Sequence, residues 1–278
     1  MKDYDDEIIT HIKNGNLEYL QFKKLNELGI KNAITLRHGG VSKGIYSSLN
    51  FRFNSHDDKE NIIKNYEIIA KELKLKDNKI YKAKQNHTNN ILVLTNENKD
   101  DYYLLKESKD VYDAYITNTK DIPLLITTAD CCAIILYDPV KKVIANLHSG
   151  WRGTINRIVV KVVNKMVNDF GCNPKNIYAF FGPSIRKCCF SSEDEAFKKK
   201  FTDIWKNEDD YIEYEENSKR FHIDLIYLIT SDLKKLGIKN IDIANICTAC
   251  NSDDFYSYLA VTRKNIEDFG LMATIVVL

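Results

Sequence analysis

The sequence predicts an α+β (mixed α/β) protein, and three observations carry that prediction. Short β-branched and aromatic runs alternate along the chain with segments whose apolar residues recur at helical spacing. Two long apolar runs flank Asp138-Pro139-Val140 and read as a central hairpin. No internal repeat or low-complexity tract interrupts the order, so one compact unit is the most economical description. The 278 residues are 44% hydrophobic and 28% charged, which suits a globular protein with a substantial core. Lys plus Arg number 40 and Asp plus Glu 39, so charge gives no argument for nucleic acid or an anionic membrane as partner. No apolar run approaches the ~20 residues that cross a bilayer. The segment Met1-Lys2-Asp3-Tyr4-Asp5-Asp6-Glu7 lacks the pattern of a signal peptide. The expected location is cytoplasmic, with no membrane partner. Composition is silent on oligomeric state.

Residues 1–30 read as a lead-in belonging to the same domain. A strand is expected over 8–13, a turn at Asn14-Gly15-Asn16, a strand over 17–22 and a short helix to Leu28. A strand at 33–36 runs into Arg37-His38-Gly39-Gly40, where paired glycines free the backbone and an arginine is placed to meet an anion. Ile62, Tyr66, Ile69 and Leu73 mark a helix over about 58–73. Asp57 or Asp58 is its cap, and Asp57 with Glu60 matches a capping box. Strands are expected over 79–84 and 91–94. Residues 95–112 are charged and turn-rich, a solvated excursion. Strand character returns over 113–117 and 122–128 before the hairpin. After it, Ile155, Ile158, Val162, Met166 and Phe170 predict one helix over 154–170, stopped by Gly171. The loop 148–153 then leads into a helix start, a candidate anion site to which Arg152 adds a charged donor. Further strands are expected over 177–181, 241–246 and 272–277, and helices over 192–201 and 223–236.

There are seven cysteines, an odd number that includes two vicinal pairs, and this fits poorly with a secreted disulfide framework. Reduced thiols, most of them packed as small core residues, are the better reading. A turn centred between Pro139 and Val140 sets Cys131 opposite His148, with Cβ atoms roughly 4.5–5.5 Å apart. One metal ion can join a thiolate and an imidazole at that spacing. His87, at a strand end in a polar Gln85-Asn86-His87 context, is the best third ligand among six histidines. Three Cys/His ligands with a fourth position left open are typical of catalytic zinc. The competing reading makes His87 a surface residue and Cys131 a core thiol. Cys247-Thr248-Ala249-Cys250, with or without Cys188-Cys189, is a rival group, for which core packing is the expectation because a single CxxC is weak support for zinc.

Several motifs occur in an order that resembles the laccase-domain family. These are Arg37-His-Gly-Gly-Val-Ser42-Lys-Gly44, Ser48-Leu-Asn50, Gln85-Asn-His87, Thr128-Ala-Asp130-Cys131, His148-Ser-Gly-Trp-Arg-Gly153, Gly182-Pro-Ser-Ile185 and Cys247-Thr248. Members of that family are also described as polyphenol oxidase-like proteins or purine nucleoside phosphorylases. The resemblance covers roughly residues 30–278 and makes 31–278 a laccase-domain-like catalytic domain. It implies a single domain of layered, largely antiparallel or mixed sheets flanked by helices. It also implies zinc on the residues matching His87, Cys131 and His148, of which the hairpin argument reaches two independently. Implied substrates are adenosine, inosine, guanosine and methylthioadenosine, cleaved with phosphate, and adenosine deamination is a further activity.

On that resemblance, Asp130 and Gln85 stand beside ligands as orienters or proton shuttles. Phosphate falls to Arg37 with Gly39, Gly40, Ser42 and Asn50, or to Arg152 at the helix start. A multicopper assignment fails on ligand supply, since the chain has six histidines and no His-x-His pair. Copper remains an alternative occupant of the Cys/His group in vitro. The chain departs from the family where arginines usually follow the segment matching Ser257-Tyr258. Leu259-Ala260 and Gly270-Leu271 stand there, with Arg263 as a possible substitute, and His56-Asp57 replaces the usual Gly-Asp. Two alternatives remain: a cysteine hydrolase or amidase with Cys131 as nucleophile and His148 as base, and a weakly catalytic cell-envelope accessory protein.

Overall fold

The chain opens with a hairpin, β1 (Ile9–Asn14) and β2 (Leu17–Phe22), in which Asn14 pairs with Leu17 across a left-handed Gly15. The computed structural model describes residues 2–103 and 110–278. Helix α1 (Lys23–Glu27) leads to β3 (Lys31–Thr35), and α2 (Lys59–Glu72) follows the glycine loop. Asp58 caps α2 by accepting the Glu60 N–H at 2.9 Å. Asp57, the expected capping-box residue, accepts from Asn50 Nδ2 instead.

The strand expected over 79–84 is not formed. Tyr81 and Lys84 make single bridges to Tyr103, Leu124 and Val111. Side chains replace the ladder: Lys82 Nζ donates to Thr127 Oγ1, and the Gln85 amide donates to the Thr127 carbonyl and accepts its N–H. Strands β4 (Ile91–Val93), β5 (Ala114–Thr117) and β6 (Leu124–Thr128) follow. Part of the expected 95–112 excursion is a short 3-10 turn, Lys99–Tyr102, and residues 104–109 lie outside the described residues.

The central hairpin comprises β7 (Cys132–Asp138) and β8 (Val143–Ser149) and turns later than expected. Asp138 pairs with Val143 and Ala133, not Cys131, lies opposite His148. The cause is a four-residue loop: Asp138 Oδ1 accepts the N–H groups of Val140 and Lys141, and Lys142 takes a left-handed φ of 53°. The register differs by two residues, so every side chain keeps its face. Cys131 therefore stays on the side of His148.

The helix expected over 154–170 is two helices, α3 (Trp151–Ile155) and α4 (Ile158–Phe170). Arg157 breaks them at φ 54°, with its Nε and Nη2 donating to the buried Asp232 carboxylate. The rest comprises β9 (Tyr178–Phe181), β10 (Ser191–Ser192), α5 (Glu195–Thr202), β11 (Ile212–Glu215), β12 (Arg220–Ile223), α6 (Leu225–Lys235), β13 (Asn240–Ile243), α7 (Tyr258–Arg263) and β14 (Met272–Val277).

Two sheets stack at the centre. One is antiparallel, in the order β1-β2-β3-β14-β6; the other runs β13-β9-β7-β8-β5-β4, with parallel pairs at both edges. Alternation assigns each side chain to a layer. Ile135 and Tyr137 of β7 and Ile144 of β8 face the first sheet, meeting Leu124, Ile126 and Val276. Ile134, Leu136, Ala145 and Leu147 face away and are covered by Val159, Val162 and Met166 of α4 and Ile229 of α6. The outer side of the first sheet packs on Ile62, Tyr66 and Ile69 of α2. The result is four layers, helix–sheet–sheet–helix. A small sheet, β10-β12-β11, carries its own aromatic cluster around Phe201 and Trp205. Asn146, on the inter-sheet face of β8, donates to the carbonyls of Leu124 and Thr274 and ties the two sheets together.

Candidate metal centre

His148 lies two residues beyond Asn146 on the same face of β8 and is buried at the end of the inter-sheet layer. Its neighbour across the β5–β8 pairing is Asp113, the residue just before β5, whose carbonyl accepts the His148 N–H at 2.7 Å. The Asp113 carboxylate, fully buried, stands 2.8 Å from His148 Nδ1. Burial alone would raise the Asp113 carboxyl, but the bond and charge of His148 and the hydroxyl and amide of Thr88 together hold it below its ordinary range. An ionised carboxylate only accepts, so Nδ1 carries the proton and Nε2 is left for a ligand.

The same carboxylate shapes the loop that brings in His87. It accepts the N–H groups of Asn86, His87 and Thr88 and the Thr88 hydroxyl. Under that grip His87 takes a left-handed φ of 56°, a conformation that is held rather than preferred. Cys131 comes from the bend before β7. Its Sγ is 3.7 Å from His87 Nε2, and the ligand atoms of His87, Cys131 and His148 lie within 4.8 Å of one another. A tetrahedral ion with M–N of about 2.0–2.1 Å and M–S of about 2.3 Å would set S and N roughly 3.6 Å apart, so the donor set fits zinc. His148 is buried, Cys131 half-buried and His87 exposed, which leaves the group open on the His87 side.

Gly150 makes room for the sulfur: a Cβ there would sit 2.5 Å from Cys131 Sγ and 3.4 Å from His87 Cδ2. Gly150→Ala should displace Cys131 and lower zinc affinity by about 10–100-fold, the range of a disturbed ligand support. A competitive chelator titration reads this, and unchanged affinity would remove Gly150 from the site.

With no ion bound, the mutual charges of Cys131 and His148 favour a thiolate beside an imidazolium. Burial pushes the Cys131 thiol up, but the charges and hydrogen bonds of His148 and His87 outweigh it and bring the thiol down to about 6. Burial likewise opposes charge on His148, yet the Cys131 thiolate and the Asp113 carboxylate raise it to about 9. A thiol that ionises at about 6 is mostly thiolate from about a pH unit above that value. Alkylation of Cys131 in chelated protein should therefore rise with its midpoint at about pH 6 and then level off, whereas an unperturbed thiol keeps gaining towards its ordinary value near 9.

The other expected site residues lie differently. Gln85 commits its amide to Thr127 and so pins the His87 arm to β6. Asp130, at a left-handed φ of 86°, turns away from Cys131: its carboxylate accepts from the Thr248 hydroxyl and the Leu259 N–H, each at 2.7 Å. Burial raises its carboxyl while those donors restrain it, and Arg263 stands close enough to act in the same sense. Leu259 serves Asp130 through its backbone, which needs no arginine there. Arg37 Nε, Nη1 and Nη2 donate to the carbonyls of Ser47, Ser252 and Ile45, and its guanidinium lies 4.6 Å from the Tyr256 ring centre. Gly39 and Gly40 lie where a Cβ would strike the backbone of Leu17 and Ser48. Ser42 and Asn50 are buried, joined through Asn65, and Asn50 also accepts the Leu271 N–H. These residues build a fixed loop. Arg152 is exposed, with its guanidinium 4.2 Å from the Trp151 ring centre.

Asp113 was not among the residues the sequence singled out. Its only signal was an acidic residue opening a strand that pairs beside the one carrying His148. Core packing does not describe the second cysteine group either: Cys188 and Cys250 are exposed, and the sulfurs of Cys188, Cys189, Cys247 and Cys250 lie within 4.8 Å of one another.

Fold and donor set together define a class: a four-layer α+β protein with a three-ligand Cys/His group open on one side. Residues 31–278 match the family described as "Multi-copper polyphenol oxidoreductase laccase", and the chain belongs to it. Among the described residues, the two gathered groups of metal-ligating side chains include His87 and His148 as their only histidines, a poor supply for several coppers. Purine nucleoside phosphorylase YlmD of Bacillus subtilis is 30% identical over 234 residues, 81% of each chain. A purine nucleoside phosphorylase of Bacteroides thetaiotaomicron is 31% identical over 82% of this chain and 85% of its own. Adenosine deaminase RL5, from an unknown prokaryote, is 29% identical over 87% of this chain and 92% of its own. The fold is that of Bacillus licheniformis YfiH, at a TM-score of 0.85, 24% identity and coverage of 96% of this chain and 98% of that one. Among the described residues no helix is long and apolar enough to cross a membrane.

Proposed function

We propose that this chain is a zinc-dependent purine nucleoside phosphorylase acting on adenosine, inosine, guanosine and methylthioadenosine, with adenosine deamination as a second activity. The observation that carries the reading is the Cys131–His87–His148 group, oriented through Asp113 and open on one side. The names of the relatives supply the substrate class. Zinc, when bound, supplies a Lewis acid that polarises a purine ring atom or a water. Asp113 fixes the His148 ring and the His87 loop at once, so two ligands are set before substrate arrives. In phosphorolysis the C1′–N bond breaks, phosphate oxygen bonds C1′ and the departing base takes up a proton. We assign phosphate to Arg152, whose guanidinium lies exposed two residues beyond Gly150, because Arg37 is held by carbonyls. Gln85 and Asp130 hold the ligand-bearing segments in place.

A nucleoside panel with and without phosphate tests this. Free base and ribose 1-phosphate should appear only with phosphate, and inosine plus ammonia should form from adenosine without it. Failure of every nucleoside on zinc-loaded protein would overturn the reading. The lowered Cys131 thiol favours one second reading, a thiol hydrolase with His148 as base. That reading requires activity in chelated protein and a covalent acyl adduct on Cys131.

A further inference from the structure

Four thiols converge away from the Cys131 group. Cys188 and Cys189 lie in the turn between β9 and β10, and Cys247 and Cys250 lie in the turn between β13 and α7. Cys250 Sγ is 3.4 Å from Cys189 Sγ and 3.7 Å from Cys188 Sγ, and all four sulfurs fall within 4.8 Å of one another. We propose that Cys188, Cys189, Cys247 and Cys250 form a second, structural zinc site that fastens the 184–190 turn to the 246–251 turn.

The number of ligands and their spacing argue for a single ion. A zinc tetrathiolate with Zn–S of about 2.3 Å places its sulfurs roughly 3.8 Å apart, in the range seen here. A disulfide draws two sulfurs to about 2.05 Å and uses them in pairs. Here Cys250 is near two partners at once, and no pair is singled out. An iron–sulfur cluster spreads its thiolates over separate irons and needs a wider cage. All four positions being sulfur, with no water-facing fourth site, marks the group as structural rather than catalytic.

The surroundings suit an anionic sulfur cage. The Arg186 side chain lies close enough to Cys188 and Cys247 for its charge to act on them. Its Nη2 donates to the Ala244 carbonyl, while its buried Nε has no acceptor among the described residues. A tetrathiolate around a divalent ion carries a net charge of about −2, and a guanidinium beside it offsets part of that.

The site also bears on the first one. Ser184 bridges to Cys247, the Thr248 hydroxyl donates to Asp130, and the Ile185 N–H donates to the Asp130 carbonyl. Both joined turns therefore grip the residue next to Cys131. Zinc at the four cysteines would hold the bend that presents Cys131, from behind and without contact with substrate.

Metal analysis of the full chain purified under reducing conditions tests this, with no reliance on activity. The intact protein should hold two zinc ions per chain, and His87→Ala combined with His148→Ala should keep one. X-ray absorption of that double variant should show four sulfur ligands at about 2.3 Å, and cobalt substitution should give the intense visible bands of a tetrathiolate. Cys188→Ser and Cys250→Ser should each lose one equivalent. If those two variants fail to fold, the spectra of the histidine double variant still decide. A metal-free double variant with all seven thiols titratable, or with a mass lower by one or two disulfides, would overturn the proposal. Failure of the Cys131 group to bind zinc gives a different pattern: one ion in the intact protein, kept in the double variant and lost with Cys250.

Discussion

Asp113→Ala should lower stability by about 3–5 kcal/mol, the effect of breaking a buried charged pair by removing one partner. The carboxylate accepts five hydrogen bonds, from His148 Nδ1, the amides of Asn86, His87 and Thr88, and the Thr88 hydroxyl. Buried donors left without acceptors cost about 1–3 kcal/mol each. The loop amides are partly exposed and regain water, so the loss falls short of the simple sum. Zinc affinity should drop by at least about 10–100-fold, because His148 loses the partner that fixes its tautomer and His87 loses the loop that holds it at positive φ. Asp113→Asn keeps the volume but presents an amide N–H where Thr88 donates, so affinity should fall in the same range with a smaller loss of stability. Urea denaturation and chelator competition read the two effects separately. Wild-type values in both variants would leave Asp113 without the orienting role.

Cys131→Ala should have the larger functional effect. It removes the only anionic ligand of the trio, so affinity at that group should fall by more than the roughly 100-fold ascribed to an outer partner. It also frees space beside Gly150 rather than creating a clash, so stability should change by less than about 1–2 kcal/mol. Phosphorolysis should be lost while the folded protein persists. A variant that still turns over inosine with phosphate would show that the chemistry lies elsewhere.

The fold was legible wherever local chemistry decided it. The Asn14-Gly15-Asn16 turn, the Asp58 cap and the run of β14 needed only neighbours within a few residues. Tertiary partners decided the rest. Arg157 leaves the helix because the buried Asp232, far along the chain, takes its guanidinium. The 79–84 segment loses its ladder to side-chain bonds with Thr127. The late turn of the central hairpin depends on the Asp138 side chain capturing two amides, and it was harmless because a shift of two preserves faces. Of the site, the three ligand candidates could be read from residue type and context, and the expected Cys131–His148 pairing, though two residues out of register, kept both on one face. Asp113 could not, since its role exists only once β5 lies beside β8. The cysteines at 188–189 and 247–250 were expected in the core because a single CxxC is weak support for zinc, and only the fold brings their two turns together.

The most direct test of the central claim is metal reconstitution followed by inosine phosphorolysis. Protein stripped by a chelator should release no hypoxanthine in phosphate buffer, and activity should return in proportion as zinc refills the His87–Cys131–His148 group. Full activity in protein shown to be metal-free would contradict the account.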